Sequence, residues 1–197
     1  MGLPQTYKRA VFKEAGSPLT IEEVPLALPG KGEVLVKVEA CGVCYSDQMA
    51  QHGMMGAGFP IVPGHEVIGR VASVGEGVSA FKIGERVGGG WHGGHDATCL
   101  ACKKGLFQMC DNRAVNGETR DGGFPGEIKV DTAVMLAYGL SVQVWPSGHA
   151  VDSEEAIQFA ELENINCLIE TFPLEKANEA YNAMLNGTVR FRSVITM

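Results

Sequence analysis

Short β-branched segments, separated by glycine and proline, constrain the possible fold more strongly than any other feature of this chain. They recur through its first two thirds as YKRAVF, LTIEEV, EVLVKVEACGV, EVIGRVASVG and IGERVGG. Short strands at regular spacing, with turn residues between them, are typical of a β barrel or sandwich. In EVLVKVEA, Val34, Val36 and Val38 recur at every second position, which predicts a half-buried strand.

The last third of the chain has helical spacing instead. It contains SEEAIQFAELEN, for which Asp152 and Glu155 have the spacing of a capping box, and PLEKANEAYNAMLNG, which runs from Pro173 to Gly187. The apolar positions of the second segment share one helical face: Leu174, Ala177, Tyr181, Met184 and Leu185. VRFRSVITM then predicts a closing strand. The predicted fold class is β-rich α+β, with C-terminal helices.

The composition limits the classes of partner. The 197 residues suffice for one well-buried domain, or for one and a fraction, but are few for two full α/β domains. A net charge of −7 argues against nucleic acid or an anionic membrane as the main partner. The start, MGLPQTYKRAVFKEAG, has no apolar targeting region, and no run approaches the ~20 apolar residues of a membrane span. We therefore expect a cytoplasmic protein whose cysteines are reduced and free to bind metal.

Two glycine runs match the dinucleotide-binding fingerprint G-x-G-x-x-G/A. They are Gly88, Gly90 and Gly93, and Gly75, Gly77 and Ala80. The fingerprint requires a following helix, whose N-terminus holds the pyrophosphate. HDATCLACKKG and FKIGERV follow the two runs, and neither has the pattern of an amphipathic helix. We interpret both runs as tight turns. Since the sequence also shows no repeated strand and helix units of a doubly wound sheet, we predict no complete Rossmann domain.

A cysteine cluster predicts a structural zinc site. Cys99-x2-Cys102-x7-Cys110 supplies three ligands, and a closed tetrahedral site needs a fourth. Asp96, one further x2 step before Cys99, can supply an oxygen ligand, and His95 is the neighbouring alternative. The other interpretation of this spacing is three reduced cysteines in a loop without metal.

Cys44 and His65 are a second pair of zinc-ligand residue types. Cys44 lies in CGVCYSD and His65 in GHE, so they are separated in sequence. Glu66 can coordinate a metal directly or support a ligand from behind. One cysteine and one histidine would not by themselves define a site.

Four features occur together in the first part of the chain: ACGVCYSD (40–47), PGHEVIGRV (63–71), VGEGVSAFKIGERV (74–87) and the cysteine cluster. Together they resemble the zinc-dependent medium-chain alcohol dehydrogenases. WPSG and IETFPLEKANEAY are similar to the C-terminal portion of the same family. The resemblance implies a GroES-like barrel catalytic domain with a structural zinc lobe at about 91–112.

The same resemblance implies roles for individual residues. Cys44 and His65 would hold the catalytic zinc, and Glu66 would be a carboxylate able to exchange onto it. Ser46 falls where the family has the hydroxyl that takes the proton of the substrate alcohol. Asp47 would orient His65. In this chemistry zinc polarises the substrate oxygen and a hydride passes to a nicotinamide.

The resemblance also implies that Trp91 and His92 line the substrate cleft. The sequence departs from the family pattern at two other places. Asp96 stands where the family has the first of four cysteines, which predicts weaker zinc binding in the lobe. Phe124 is followed at once by Pro125, where the resemblance implies a further cysteine ligand and the entire NAD-binding domain.

The missing region changes the expected ligands and domain organisation. Cys41 or Cys167 could replace the absent cysteine ligand, although we expect both to be buried thiols. The apolar segment 131–146 would need a new partner, which predicts a homodimer or higher oligomer. The predicted divisions are a catalytic domain at 1–124, a remnant of the nucleotide-domain edge at 125–147, and a part completing the catalytic domain at 148–197.

The expected function is that of a zinc-binding catalytic domain of alcohol dehydrogenase type. Its substrate would be a small alcohol or carbonyl compound, and we expect it neither to bind NAD(P) nor to transfer hydride alone. Two alternatives remain open. One is a non-redox zinc enzyme acting as a Lewis acid, such as an isomerase, cyclase or aldol-type enzyme. The other is a non-catalytic metal-binding module.

Overall fold

The computed structural model describes residues 2–54, 56, 58–123, 127–131 and 150–197, with side chains omitted for 127–131 and 150–151. The strands are β1 (Thr6–Phe12), β2 (Leu19–Pro25), β3 (Glu33–Gly42), β4 (Val67–Val74), β5 (Arg86–Gly89), β6 (His92–Gly94), β7 (Ala114–Val115), β8 (Glu127–Asp131), β9 (Ile169–Pro173) and β10 (Arg192–Thr196). The helices are α1 (Asp47–Gln51), α2 (Leu100–Lys103), α3 (Ala150–Leu162) and α4 (Ala177–Leu185). The described part is therefore strand-rich, as predicted.

Strand β3 is the centre of the main sheet, whose order is β5-β4-β3-β10-β9. On one side β3 pairs antiparallel with β4. On the other side two strands share its edge: β8 pairs with residues 33–37, and β10 pairs with residues 40–42. The hairpin β1-β2 and the short ribbon β6-β7 are separate sheets. The C-terminal strand β10 thus completes the sheet formed by the first part of the chain.

Strand β3 is more buried than the half-buried strand that its sequence predicts. Val34, Val36 and Val38 lie in the main apolar cluster, as the alternation predicts. Leu35 is also buried, at 2% exposed, but is not a member of that cluster, so it is covered on the opposite face. A central strand with neighbours on both edges can be covered on both faces, and this coverage is not visible in its own sequence.

The predicted C-terminal helix is confirmed, with a different first turn. Leu174–Lys176 form a 3₁₀ turn, α4 follows, and Gly187 has a φ of +62°, a left-handed conformation suited to glycine after a helix end. Tyr181 is buried against Phe12 with ring centroids 5.7 Å apart, and its hydroxyl donates to Gln51 Oε1 at 3.0 Å. The helix thereby joins the C-terminal part to β1 and α1.

Helix α3 confirms the helical spacing of SEEAIQFAELEN but not its predicted start. It already includes Ala150, so Asp152 lies inside the helix and the predicted capping box is wrong. From Asp152 to Phe159 every side chain is exposed. Most of the predicted contact segment 131–146 lies outside the described residues.

Neither glycine run leads into a helix. Gly88 lies in β5 and Gly93 in β6, and the next helix, α2, begins only at Leu100. Gly75 and Gly77 form the turn after β4, where a Cβ on Gly75 would lie 1.8 Å from the Gly30 carbonyl oxygen. Gly77 has a φ of +81°. The interpretation as a tight turn is therefore confirmed for Gly75 and Gly77, but it is wrong for Gly88 and Gly93, which lie in strands. None of the helices in the described part is long and apolar enough to cross a membrane.

Candidate metal centre

The register of β3 and β4 brings Cys44 next to His65 and Glu66. Cys41, near the end of β3, pairs with Val67 at the start of β4. Cys44 follows the first strand, and His65 and Glu66 precede the second, so the antiparallel arrangement places all three at one end of the sheet. The Gly42 N–H donates to the Glu66 carbonyl oxygen at 2.9 Å and continues this pairing.

The three side chains form a group with the dimensions of a metal site. One atom from each of Cys44, His65 and Glu66 lies within 4.8 Å of the others. A tetrahedral zinc with Zn–S near 2.3 Å and Zn–N near 2.0 Å separates such ligand atoms by about 3.5 Å, so small side-chain movements would suffice. The donor set of sulfur, imidazole nitrogen and carboxylate oxygen is one that zinc prefers, and we conclude that these residues fit the ion.

Ser46 contacts two of these ligand residues. Its hydroxyl donates to Cys44 Sγ at 3.1 Å and lies 3.3 Å from His65 Nε2. Asp47 is completely buried behind the pair, with Oδ1 at 3.4 Å from His65 Nδ1. Two backbone amides donate to the Asp47 carboxylate, from Cys44 at 2.9 Å and from Gly64 at 3.2 Å. The predicted residues are therefore together, and Asp47 connects the two ligand loops.

Cys44 and His65 change each other's protonation in the absence of metal. The hydrogen bond from His65 is the main cause that lowers the pKa of Cys44 to about 7. Burial lowers the pKa of His65, but the hydrogen bonds to Asp47 and Cys44 outweigh it and raise that pKa to about 10. Both shifts favour a thiolate beside a cationic imidazole. A thiolate is the form of cysteine that binds metal.

Glu66 is held by a partner that sequence reasoning missed. Arg192 of β10 donates to both carboxylate oxygens of Glu66, through Nε at 3.2 Å and through Nη2. A Cβ on Gly42 would lie 2.1 Å from Glu66 Oε2, so a larger residue there would displace the carboxylate from its present position. Glu66 thus has a charged partner, and Arg192 competes with any metal for its oxygens.

The cysteine cluster is the second group with metal-site dimensions. Asp96, Cys99, Cys102 and Cys110 each offer an atom within 4.8 Å of the other three. Cys99 Sγ and Cys110 Sγ are 3.8 Å apart, which is about the separation of two sulfurs on one tetrahedral zinc. The structure therefore groups Asp96, rather than His95, with the three cysteines, and the set fits zinc.

Backbone amides organise this lobe. The amides of Thr98 and Cys99 donate to Asp96 Oδ1 at 2.7 and 3.0 Å, and Asn112 Nδ2 donates to Oδ2 at 2.7 Å. The hydrogen bonds from Cys99 and Thr98 lower the pKa of Asp96. The amide of Cys102 likewise lowers the pKa of Cys99, while burial raises the pKa of Cys102 to about 12. The anionic carboxylate is pre-organised among the sulfurs.

The remaining candidate residues lie around these two groups. His95 is stacked on Phe107 with centroids 4.2 Å apart, and its Nδ1 lies 3.4 Å from Nε2 of buried His92. Cys41 is a buried thiol, as predicted, but Cys167 is exposed, so that expectation was wrong for Cys167. Among the described residues, neither belongs to a metal-ligand group.

Trp91 is half-buried and donates from Nε1 to Glu118 Oε1 at 3.3 Å. Glu118 is 1% exposed and was not predicted as a site residue. The sequence signal that could have found it is weak, because Glu118 lies in the turn VNGETRDGG, which resembles an ordinary exposed turn.

Comparison with known proteins gives the family. The alcohol dehydrogenase GroES-like domain matches residues 30–138. The alcohol dehydrogenase patD of Penicillium expansum is 38% identical over 335 positions, covering 98% of each chain, and the alcohol dehydrogenase notN of an Aspergillus species is 36% identical over 338 positions. This chain belongs to the zinc-dependent medium-chain alcohol dehydrogenase family.

Solved structures agree with the alcohol dehydrogenase fold. Acetophenone reductase from Geotrichum candidum, solved with NAD, aligns with a TM-score of 0.81 at 18% identity, covering 100% of this chain and 99% of that chain. The rspB dehydrogenase from E. coli CFT073, solved with NADH, aligns with a TM-score of 0.60 at 33% identity, covering 66% of this chain and 37% of that chain.

The alignment with patD contains a large gap. It spans 335 positions, and this family member has 197 residues, so at least 138 positions of the alignment have no residue from this chain. Because the alignment covers 98% of both proteins, these positions lie between matched segments rather than beyond them.

Proposed function

We propose that this chain is a zinc-binding catalytic domain of alcohol dehydrogenase type, whose centre at Cys44, His65 and Glu66 takes the oxygen of a small alcohol or carbonyl compound. The observation that carries the proposal is the grouping of these ligand atoms within 4.8 Å, with the Ser46 hydroxyl in contact with both Cys44 and His65. A bound zinc would supply Lewis acidity to the substrate oxygen.

In this proposal the residues around the ligands have separate tasks. Ser46, which is only partly buried, takes up the proton of the alcohol while it releases its own hydroxyl proton to water. Asp47, whose Oδ1 lies 3.4 Å from His65 Nδ1, orients the imidazole ring and leaves Nε2 for the metal. Glu66 serves as a ligand that exchanges with its ion pair to Arg192. Trp91 and His92 form the wall of the substrate cleft.

We propose further that the chain does not bind NAD(P) or transfer hydride by itself. The support is the gap of at least 138 positions against patD and the absence of a strand–helix turn at both glycine runs. The rspB relative was solved with NADH, and this chain aligns with 37% of it. The same gap favours a second candidate, a non-redox step on a zinc-bound carbonyl compound.

The cysteine lobe is proposed as a structural zinc site with Asp96 as its fourth ligand. A closed set of four ligands leaves no open position for substrate. Since a carboxylate is a harder ligand than a thiolate, we expect weaker zinc binding than at a site of four cysteines.

The domain divisions at 1–124, 125–147 and 148–197 and a cytoplasmic location also remain proposals. The six free cysteines are compatible with a reducing compartment. A homodimer or higher oligomer through residues 131–146 is supported by the apolar composition of that segment. Multi-angle light scattering tests it, and a monomeric mass at micromolar concentration would contradict it.

Zinc content per chain, measured by inductively coupled plasma mass spectrometry, tests the two metal sites. We expect about two zinc ions per chain, about one after Cys44→Ser and about one after Cys99→Ser. Cys167→Ser is the matched control, because this cysteine is exposed and outside both groups, and it should keep the parent content. A parent protein without zinc, when grown in zinc-containing medium, would refute the mechanism.

The cofactor proposal needs its own experiment. Titration of the zinc-loaded protein with NADH, followed by nicotinamide fluorescence, is expected to show no saturable change up to millimolar concentration. Saturable binding that survives removal of zinc would overturn the proposal and indicate an autonomous redox enzyme.

A further inference from the structure

Glu118 is a buried acidic residue that has no role in the proposed mechanism. It is 1% exposed; Oε1 accepts the indole N–H of Trp91, and Oε2 has no hydrogen-bond partner within the part of the chain that the structure describes. Burial raises the pKa of this carboxyl group. Burying a polar group with an unsatisfied atom is unfavourable, so the residue needs an explanation.

The turn that carries Glu118 is fixed to the loop that carries His65. Gly117 has a φ of +79°, and a Cβ there would lie 2.6 Å from the amide nitrogen of Gly64. Further along, the amide of Gly123 donates to the Gly64 carbonyl oxygen at 2.8 Å. The turn and the metal-ligand loop therefore have little freedom to move relative to each other.

The same turn also holds the backbone of Trp91. The Asn116 amide donates to the Trp91 carbonyl oxygen at 3.0 Å, and Asn116 Nδ2 donates to the Gly90 carbonyl oxygen at 2.9 Å. Backbone contacts fix the position of the residue, but they do not fix the torsions of its side chain. The hydrogen bond from the indole to Glu118 adds that second constraint.

We propose that Glu118 is a positioning residue that fixes the side-chain torsions of Trp91, and that the indole held in this way limits the bulk of the carbonyl compounds that reach the Cys44 and His65 centre. The part of this inference that concerns substrate rests on the proposed function, whereas the hydrogen bond and its effect on the indole do not. A purely structural acid would contribute to stability but leave the environment of Trp91 and the choice of ligand unchanged.

The first test follows the fluorescence of Trp91 in the metal-free protein. Trp145, the second tryptophan of the sequence, is replaced by phenylalanine so that emission reports Trp91 alone. Glu118→Gln keeps an oxygen acceptor and should leave the emission maximum and the acrylamide quenching constant unchanged. Glu118→Leu removes the acceptor and should shift the emission and raise the quenching constant.

Gln108→Leu is the matched control for this test. Gln108 is 2% exposed and also has a buried oxygen without a hydrogen-bond partner among the described residues, so its replacement tests the general effect of changing such a group. It should leave Trp91 emission at the parent value. Equal spectra for Glu118→Leu and the parent, or equal shifts for Glu118→Leu and Gln108→Leu, would overturn the proposal.

The second test measures ligand choice at the centre, with Co²⁺ in place of zinc as a visible probe. The cobalt absorption band is titrated with acetaldehyde, isobutyraldehyde and benzaldehyde. Loss of one positioning hydrogen bond should change the ratio of benzaldehyde to acetaldehyde affinity by about three- to tenfold in Glu118→Leu, with Glu118→Gln at the parent ratio.

Trp91→Phe keeps an aromatic ring but removes the N–H donor, so it should reproduce the altered ratio even if Glu118→Leu fails to fold. An unchanged ratio in Trp91→Phe would overturn the proposal. If the parent protein binds cobalt without any response to aldehydes, the proposed function fails, and the fluorescence result then decides the indole contact independently.

Discussion

Asp47→Ala should destabilise the protein through lost hydrogen bonds rather than through lost packing. The Asp47 side chain is completely buried and accepts from the amides of Cys44 and Gly64 at 2.9 and 3.2 Å. Leaving a buried donor unsatisfied costs about 1–3 kcal/mol, so two such donors cost about 2–6 kcal/mol. That is a large fraction of the ~5–15 kcal/mol that stabilises a typical domain.

Asp47→Asn gives an intermediate expectation from the same geometry. The side chain of asparagine has one carbonyl oxygen, which can accept from one of the two backbone amides. Its NH2 group is itself a donor and cannot satisfy the other backbone amide. The expected loss is about 1–3 kcal/mol. The order of stability should therefore be parent, then asparagine, then alanine.

The assay is guanidinium unfolding of the metal-free protein, followed by far-ultraviolet circular dichroism in the presence of a chelator. Removing metal separates this effect from the stabilisation that a bound ion gives to the folded state. The free energy of unfolding is obtained by linear extrapolation, with the slope checked for two-state behaviour.

Asp121→Ala is the matched control. Asp121 also accepts from a backbone amide, that of Val62 at 3.1 Å, but its side chain is 47% exposed. Water can replace a partner there, so the loss should stay within about 1 kcal/mol. Equal losses for Asp47→Ala and Asp121→Ala would refute the reasoning from buried donors.

Three further changes have expected outcomes. Gly123→Ala should lower the free energy of unfolding by about 1–3 kcal/mol in thermal unfolding, because a Cβ there would lie 1.9 Å from Val67 Cγ2. Tyr181→Phe should lower it by about 0.5–1.5 kcal/mol, since the hydroxyl donates to Gln51. Asp96→Cys should raise the zinc affinity of the lobe in a chelator competition, because a fourth thiolate is a softer ligand. Gly88→Ala, whose Cβ would make only contacts of 3.5 Å or more, is the control for Gly123→Ala and should change little. A parent-like midpoint for Gly123→Ala, equal stability of Tyr181→Phe and the parent, or unchanged zinc affinity of Asp96→Cys would each contradict its prediction.

Local patterns allowed the strands and the candidate ligands of the cysteine lobe to be predicted, because both depend on neighbours in sequence. The alternation of Val34, Val36 and Val38 specified one face of β3, and the spacing of Cys99 and Cys102 specified adjacent ligands. The start of α3 was not predictable in this way, since Asp152 and Glu155 have capping-box spacing whether or not the helix begins there.

Partners supplied by distant parts of the chain could not be predicted. Arg192 reaches Glu66 only because β10 pairs with the end of β3, more than a hundred residues away in sequence. Glu118 is buried because its turn packs on Gly64, although its own neighbours are those of an exposed turn. The exposure of Cys167 is equally a property of the surroundings and not of the residue type.

The sequence by itself determined the strand-rich fold class, the close spacing of the cysteines in the lobe and the family that the motifs resemble. These features depend on residue types at short spacings, which are visible in the sequence without knowledge of the fold. Only the tertiary structure decided that Asp96 rather than His95 groups with the three cysteines, that Arg192 donates to Glu66 and that Glu118 accepts from the Trp91 indole. Such contacts depend on strand register and on the packing of loops against each other, and a residue's burial is fixed by what the rest of the chain places around it.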